Sequence, residues 1–414
     1  MEHRPRVVII GGGFGGLRTA LLLSRQRMPL EIILVDANDV HVYTPWLYEV
    51  ASGRTDGVSE RHRRRLRHSA SFPFIDILRG TNVMFRKAVL KNVDAERRHV
   101  LFADGSTLAF DSLVLAVGSE SAIFGIPGLE RHALQLKTVT DAIAIENNIT
   151  SQLKNDNALH IFVAGAGSSG VELVAELATM VGARQRRGSL PKGEVKFSLV
   201  DAASSVLSMC SHGVQVATLR RLQKLGITVL LDTMVTKVAE DMVTLAPRQR
   251  LPLSSSREVP YTCFVWCGGV APNHVTLALP FTKDARGRIA VDVSFEILGH
   301  ANIFALGDAV AMADFDLPAT AQAADETAKT VAENVVRGLR RRALKKYVPP
   351  RRWPFVVAVG GAYGVADVFG LTLTGWPAYA LRRLADLRYC VRTFRFFTAL
   401  RVWRLRMKFY GKND

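Results

Sequence analysis

Two stretches of the chain carry the same hydrophobic signature. Val7 to Ile10 is an unbroken apolar run that predicts a short buried strand; Leu17, Ala20, Leu21 and Leu23 then recur at helical spacing, and Ile32 to Val35 is a second apolar run. Ile161 to Ala164, then Val171, Leu173, Val174 and Leu177, then Lys196 to Val200 repeat the pattern. Each stretch predicts a strand–helix–strand unit and therefore a parallel sheet. Between them, 83–90, 98–103 and 107–117 read as strands, Asp104-Gly105 turns two of these into a hairpin, and 138–154 reads as a helix. Further on, Thr228–Leu231, Cys263–Trp266 and Ile303–Leu306 read as strands and Thr233 to about Leu251 as a hairpin. Ala321–Leu339 is a helix whose apolar positions keep to one broad face.

Glycines sit where the first strand of each unit meets its helix. Gly11, Gly13 and Gly16 make G-x-G-x-x-G, and Gly165, Gly167 and Gly170 make it again. Such spacing permits a tight turn, lets the backbone approach a pyrophosphate, and aims a helix N-terminus at it. An acid closes each unit: Asp36 twenty residues after Gly16, and Asp201 after a longer gap filled by the cationic insertion RQRRGSLPKG. The fold class is thus α/β, with two Rossmann-like nucleotide-binding domains. The first unit, near the N-terminus, favours FAD. In the second, Asp201 is followed by Ala202 and Ala203 with no arginine at once behind it, which favours NADH over NADPH; Arg184, Arg186 and Arg187 could fold back over a phosphate. The aromatic segment Tyr43-Thr44-Pro45-Trp46-Leu47-Tyr48 can line a flat ring or form ordinary core. Gly307-Asp308, after a strand, suits a ribityl hydroxyl, and the start of the Ala321–Leu339 helix can stabilise negative charge.

Composition adds a cationic surface. There are 54 Lys plus Arg against 37 Asp plus Glu, a formal net charge of +17, in a chain that is 48% apolar. Such a balance favours anionic lipid, acidic cofactors or nucleic acid; no nucleic-acid motif accompanies it, so none is expected. Charge gathers at 54–68, 184–187, 337–352 and the final forty residues. Residues 376–414 interleave Trp, Tyr, Phe and Leu with ten Lys or Arg, the pattern of a helix lying in the plane of an anionic membrane, with apolar residues toward the lipid and arginines on the opposite side. A dimer or domain interface is the alternative. Removing the tail should release the protein from vesicles. The opening residues are not expected to be a secretory signal, and no stretch reaches eighteen uncharged apolar residues. Cys263 and Cys267 read as core positions on a strand, and no metal site is expected.

These motifs together resemble the type II NADH dehydrogenases, single-chain NADH:quinone oxidoreductases that do not pump protons. The resemblance rests on Gly11 to Gly16, Thr44 to Gly53 (TPWLYEVASG), Gly165 to Leu177, Val265 to Val270, Gly307-Asp308, Thr320 to Ala323, and the stretch from Ala366 to Trp376. It implies FAD on the first domain and NADH on the second, meeting at the flavin ring. It also implies a membrane quinone as acceptor, a peripheral, monotopic position on the cytoplasmic face, and frequent homodimers.

The implied domains are 1–135 and 286–345 for FAD, 136–285 for NADH, and 346–414 as a membrane-anchoring region. Among site residues, Glu172 would lie near the nicotinamide and Gln322 at the quinone. Gly11, Gly13, Phe14, Gly15, Gly16, Asp36, Pro45, Gly118, Gly307, Asp308 and Ala321 would serve the flavin nucleotide, and Gly165, Gly167, Gly170, Asp201 and Gly269 the nicotinamide nucleotide. Asp201 stands where Glu is commoner, Asp325 where a second Gln is usual, and Gly268-Gly269 where Ala-Gly is usual. No cysteine precedes Cys210, so the redox pair of a disulfide reductase is missing. A sulfide-dependent or other pyridine-nucleotide flavin oxidoreductase, or a membrane-bound flavoprotein with a binding role, remains the alternative.

Overall fold

The computed structural model describes residues 4–53, 68–154, 158–188, 194–248 and 256–410. The arginine run at 61–67, the end of the cationic insertion and the end of the hairpin expected near Leu251 lie outside these. The chain forms two compact units, each discontinuous in sequence. One comprises Met1–Val42, Phe72–Glu120 and Val270–Arg351; the other comprises Tyr43–Ser71, Ser121–Gly269 and Arg352–Asp414.

The first unit is built on a five-stranded parallel sheet in the order Ile303–Ala305, Ser112–Leu115, Arg6–Ile10, Glu31–Asp36, Val83–Lys87. Arg6–Ile10 is central because both of its faces are covered, which is why it reads as an unbroken apolar run; Val7, Val8 and Ile9 are fully buried. The helix Phe14–Leu23 packs against Ala321–Leu339, and Arg18 meets Asp325 at 3.4 Å across that contact. Two expected strands divide. The run at 83–90 leaves the sheet after Lys87, where Ala88 N–H bonds the Asp36 carbonyl, and starts a separate antiparallel meander of Leu90–Asp94, His99–Phe102 and Thr107–Ala109. The run at 107–117 breaks at Phe110-Asp111, because Asp111 turns back to accept from Arg6 N–H at 2.7 Å.

The second unit repeats this plan. Its parallel sheet runs Leu134–Gln135, Cys263–Trp266, Leu159–Ala164, Val195–Val200, Ile227–Leu230. An antiparallel meander of Thr233–Val238, Met242–Pro247 and Arg257–Pro260 follows the fifth of these. The helix Ser168–Arg186 takes up Arg184 and Arg186 as its last turn, with Arg184 buried and Arg187 at the C-cap. This stretch of the insertion therefore extends the helix rather than forming a loop that folds back.

The C-terminal part of this unit is a three-stranded antiparallel sheet, Phe355–Ala358, Gly364–Val368 and Leu371–Gly375, followed by helices Trp376–Thr393 and Phe396–Tyr410. The arginines expected on the outer side of the first helix are not all there. Arg382, Arg383 and Asp386 are buried, whereas Leu384 and Val391 are exposed. Buried charge, beside the buried Ala378 and Cys390, holds this helix to the unit.

Candidate active site

Both glycine loops are forced by backbone contact. Gly11 has φ +101°, and a Cβ there would overlap the carbonyl of Ala116 on the neighbouring strand; a Cβ on Gly16 would overlap the carbonyl of Gly11. The second loop repeats this: Gly165, at φ +106°, faces the carbonyl of Cys267, and Gly170 faces the carbonyl of Gly165. The middle glycines differ. A Cβ on Gly13 or Gly167 would meet nothing within 4 Å. Packing within the protein does not demand glycine at either position, so the requirement lies outside the chain, where a pyrophosphate would approach the helix N-terminus. Both loops therefore fit a dinucleotide.

Each closing acid holds its own loop. Asp36 accepts from Gly12 N–H at 2.6 Å and Asn38 N–H at 2.8 Å. Asp201 accepts from Ala166 N–H at 2.5 Å and Ala203 N–H at 2.7 Å. A residue that sequence reasoning missed braces the first loop. His41 is buried with Nδ1 at 2.8 Å from the Gly12 carbonyl. Burial pushes its pKa down to about 4 against the pull of that carbonyl, so the ring is neutral and Nδ1–H donates. Phe14, the first helical residue, packs edge-on against the His41 ring. Elsewhere in the first unit, Ser119 donates to Asp308 Oδ2 at 2.7 Å, and Gly118 and Gly307 both take positive φ. Thr320 caps the helix that begins at Ala321 by accepting from Ala323 N–H, which leaves Gln322 exposed in the first turn. In the second unit, Gly269 turns at φ +129° directly after the strand and loop that support Gly165.

Glu172 is less free than its position in the helix suggests. It lies in the second unit among five buried ionisable groups: Glu49, Glu172, Arg382, Arg383 and Asp386. Arg382 meets Asp386 at 2.7 Å and Glu172 at 3.5 Å, and its other nitrogen donates to the Pro45 carbonyl at 2.9 Å. Arg383 meets Glu49 at 2.9 Å and Asp386 at 3.5 Å. Tyr43 donates to Asp386 and Tyr48 to Glu49, each at 3.0 Å. Burial pushes both phenols well above their usual pKa, so they remain donors. Glu176 is buried beside them and accepts from Gly361 N–H at 3.1 Å. A small polar pocket opens among Tyr48, Glu49, Glu176, Gly361, Tyr379 and Arg383.

Burial alone would lower both guanidinium pKa values, but the surrounding carboxylates outweigh it and the net shift is upward. Glu172 is pushed up to about 7, chiefly by burial and further by the nearby acids Asp386 and Glu49, despite Arg382 and the Ala358 N–H. Its 3.5 Å separation from Arg382 is long for a charge-assisted hydrogen bond. Glu49 directly follows the aromatic segment Tyr43 to Tyr48. An acid amid apolar residues was its only local signal, and none pointed to Arg382, Arg383 or Asp386 as its partners.

Comparison with known proteins bears on what this architecture serves. The sequence pattern of the pyridine nucleotide-disulphide oxidoreductases matches residues 5–328. The chain belongs to that family. This oxidoreductase is 31% identical over 402 residues to the demethylphylloquinone reductase of Synechocystis sp., covering 93% of this chain and 92% of that one. It is 28% identical over 404 residues to the type II NADH:quinone oxidoreductase of Staphylococcus aureus, covering 94% and 95%. The type II resemblance in the motifs is thus borne out over nearly the whole length. Among solved structures, an NDH2 from Plasmodium falciparum in complex with NADH shares the fold at TM-score 0.81 and 17% identity, over 99% of each chain. The sulfide:quinone oxidoreductase of Aquifex aeolicus shares it at TM-score 0.78 and 19% identity, over 94% and 91%.

Cys210, Cys263, Cys267 and Cys390 are all free thiols. Burial pushes Cys263 and Cys267 up to about 12 and Cys210 up to about 11, so these three are not ready thiolates at neutral pH.

Two expectations follow from the buried ionic cluster. Asp386→Asn or Arg383→Met leaves a buried charge without its partner and should cost about 3–5 kcal/mol. The readouts are a lowered Tm and faster proteolysis between 376 and 410; an unchanged Tm would mean that the cluster does not hold the helix. Glu172 carries a folded pKa above its unfolded value, so the folded state binds the extra proton more tightly between about pH 4.5 and about 7. Its contribution to stability is therefore full below that window and is lost as pH rises through it, by on the order of 3 kcal/mol. Tm measured at pH 5 and at pH 8 should differ less in Glu172→Gln than in the parent protein.

Proposed function

We propose that this protein is a type II NADH:quinone oxidoreductase: it carries two electrons from NADH to a membrane quinone, with FAD as its resident cofactor. The observation that carries this reading is identity over more than nine-tenths of the chain to a demethylphylloquinone reductase and to a type II NADH:quinone oxidoreductase. The open middle glycines, Gly13 and Gly167, support two dinucleotides, FAD on the first loop and NADH on the second. FAD, when bound, supplies the chemistry, accepting a hydride equivalent from the nicotinamide and releasing two electrons to the quinone.

The chain's own residues orient and stabilise. Each glycine loop presents N–H groups and a helix N-terminus to a pyrophosphate. Neutral His41 fixes the first loop by donating to Gly12. Asp308, held by Ser119, offers a carboxylate to a ribityl hydroxyl. The capped N-terminus at Thr320-Ala321 favours negative charge on a reduced ring, and exposed Gln322 can hydrogen-bond a quinone carbonyl. Glu172, poised near pH 7, can hold or release a proton in its cluster.

The same reading puts the protein at a membrane surface, peripherally and on the cytoplasmic face. No helix among the described residues is long and apolar enough to cross a bilayer. Phe369, Leu371, Trp376, Leu384, Phe396 and Phe397 are exposed, and Arg388, Arg395, Arg401 and Arg404 are exposed in the same C-terminal region. Apolar side chains flanked by arginines suit insertion at the headgroup level of anionic lipid. Exposed Phe396 and Phe397 also suit a homodimer contact.

An anaerobic absorbance titration tests donor, cofactor and acceptor together. Purified protein should show a flavin spectrum that about one equivalent of NADH bleaches and a soluble quinone restores. Gly167→Ala should keep its flavin yet need more NADH for the same bleaching. A flavin that NADH leaves coloured would overturn the reading. For the membrane, deletion of 376–414 is a poor test, because it removes Arg382, Arg383 and Asp386 from the buried cluster. The combined Phe369→Ser, Trp376→Ser and Phe397→Ser variant should instead lose most of its co-sedimentation with anionic vesicles while retaining its Tm.

A further inference from the structure

The turn after the second unit's closing acid is not the cation-free place that the local sequence suggests. Ala202 and Ala203 follow Asp201, but Arg248, at the exit of the strand Met242–Pro247, donates from Nη1 to the Ala202 carbonyl at 3.2 Å. Its backbone is fixed there. Arg248 N–H bonds the Asp232 carbonyl at 2.8 Å, and Asp232 N–H bonds the Ala203 carbonyl at 3.0 Å. Thr233 N–H bonds the Asp201 carbonyl at 3.0 Å, and Thr233 pairs with Pro247, the residue before Arg248. A guanidinium is thereby held on the carbonyl of Ala202, the residue that follows the closing acid Asp201; in this kind of unit that acid meets the 2′-hydroxyl of the adenosine ribose.

The first unit provides an internal contrast. Its closing acid, Asp36, makes the same two bonds to its own loop, to Gly12 and Asn38. Lys87, opposite Asp36 on the neighbouring strand, is already paired with Asp39 at 3.6 Å. Arg248 is exposed, and among the described residues it forms no ion pair. Asp201, for its part, spends both oxygens on Ala166 N–H and Ala203 N–H, which share its charge with two backbone dipoles.

We propose that Arg248 is a specificity-determining residue that receives the 2′-phosphate of NADPH, so that this protein accepts NADPH alongside NADH. An arginine beside the ribose is the group that accommodates a 2′-phosphate in such units, and its planar fork suits phosphate oxygens. Because Asp201 remains, the outcome is dual use rather than a reversal of preference. This inference rests on reading the second unit as the NADH site.

Calorimetric titration of the FAD-loaded protein with adenosine 2′,5′-bisphosphate and with adenosine 5′-monophosphate reads that pocket without turnover. The bisphosphate should bind at least as tightly as the monophosphate at low salt, and its advantage should shrink as salt rises. Arg248→Ala should shift the ratio of the two dissociation constants against the bisphosphate by roughly ten-fold, and Arg248→Lys by less. The ratio of kcat/KM for NADPH to that for NADH should fall in parallel. A bisphosphate that binds far more weakly than the monophosphate, or a ratio that Arg248→Ala leaves alone, would overturn the proposal while the NADH site stands. If neither nucleotide binds, the reading of the second unit falls, and the proposal with it.

Discussion

Backbone packed on backbone is the constraint from which both nucleotide units follow. At Gly11 and Gly16, and again at Gly165 and Gly170, loop, strand and helix come so close that only a hydrogen atom fits between them. That closeness brings each helix N-terminus to the strand ends and sets each closing acid within reach of the loop's own N–H groups. The carboxylate then performs two tasks at once, tying the loop shut and presenting its remaining lone pairs to a ribose. Gly13 and Gly167 stand apart because nothing in the protein needs them to be small; they are small for the sake of what lies beyond the surface.

A second level of organisation depends on charge removed from water. Glu49, Glu172 and Asp386 face Arg382 and Arg383 in an interior where an unpaired ion costs several kcal/mol. Such a cluster contributes less to stability than an apolar core of equal volume, but it is far more selective about geometry: each guanidinium has one arrangement that satisfies its acids. It therefore fixes the register of the helix Trp376–Thr393 in the second unit. Glu172 is pushed up to about 7 chiefly by that removal from water.

Much of this was legible in the sequence where the determinants are local. The strands at Val7–Ile10 and Ile161–Ala164, the glycine spacing and the helix Ala321–Leu339 all depend on residues within a few positions of one another, and the fold class and cofactors follow from them. What was hidden depends on residues distant in the chain. Tyr43 and Asp386 are bonded across 343 positions, and an arginine in an amphipathic tail gives no local sign that it points inward. His41 reads as an unremarkable polar residue until Phe14 and Gly12 close around it. Arg248 escaped notice because the turn it serves lies 46 positions earlier. The segments 83–90 and 107–117 each read as one strand because a change of sheet leaves no mark on apolar alternation.

The ionic cluster also sets an order of events during synthesis. Glu49 and Glu172 are made long before Arg382 and Arg383, and domains otherwise tend to fold as they emerge from the ribosome. Until residues 382–386 exist, the second unit holds acids in what will become its interior with no cations to meet them, so its nascent chain must either keep them hydrated or protonate them. Closure of that unit is in this sense deferred: its parallel sheet can assemble early, but its interior becomes electrically complete only when the C-terminal helix arrives.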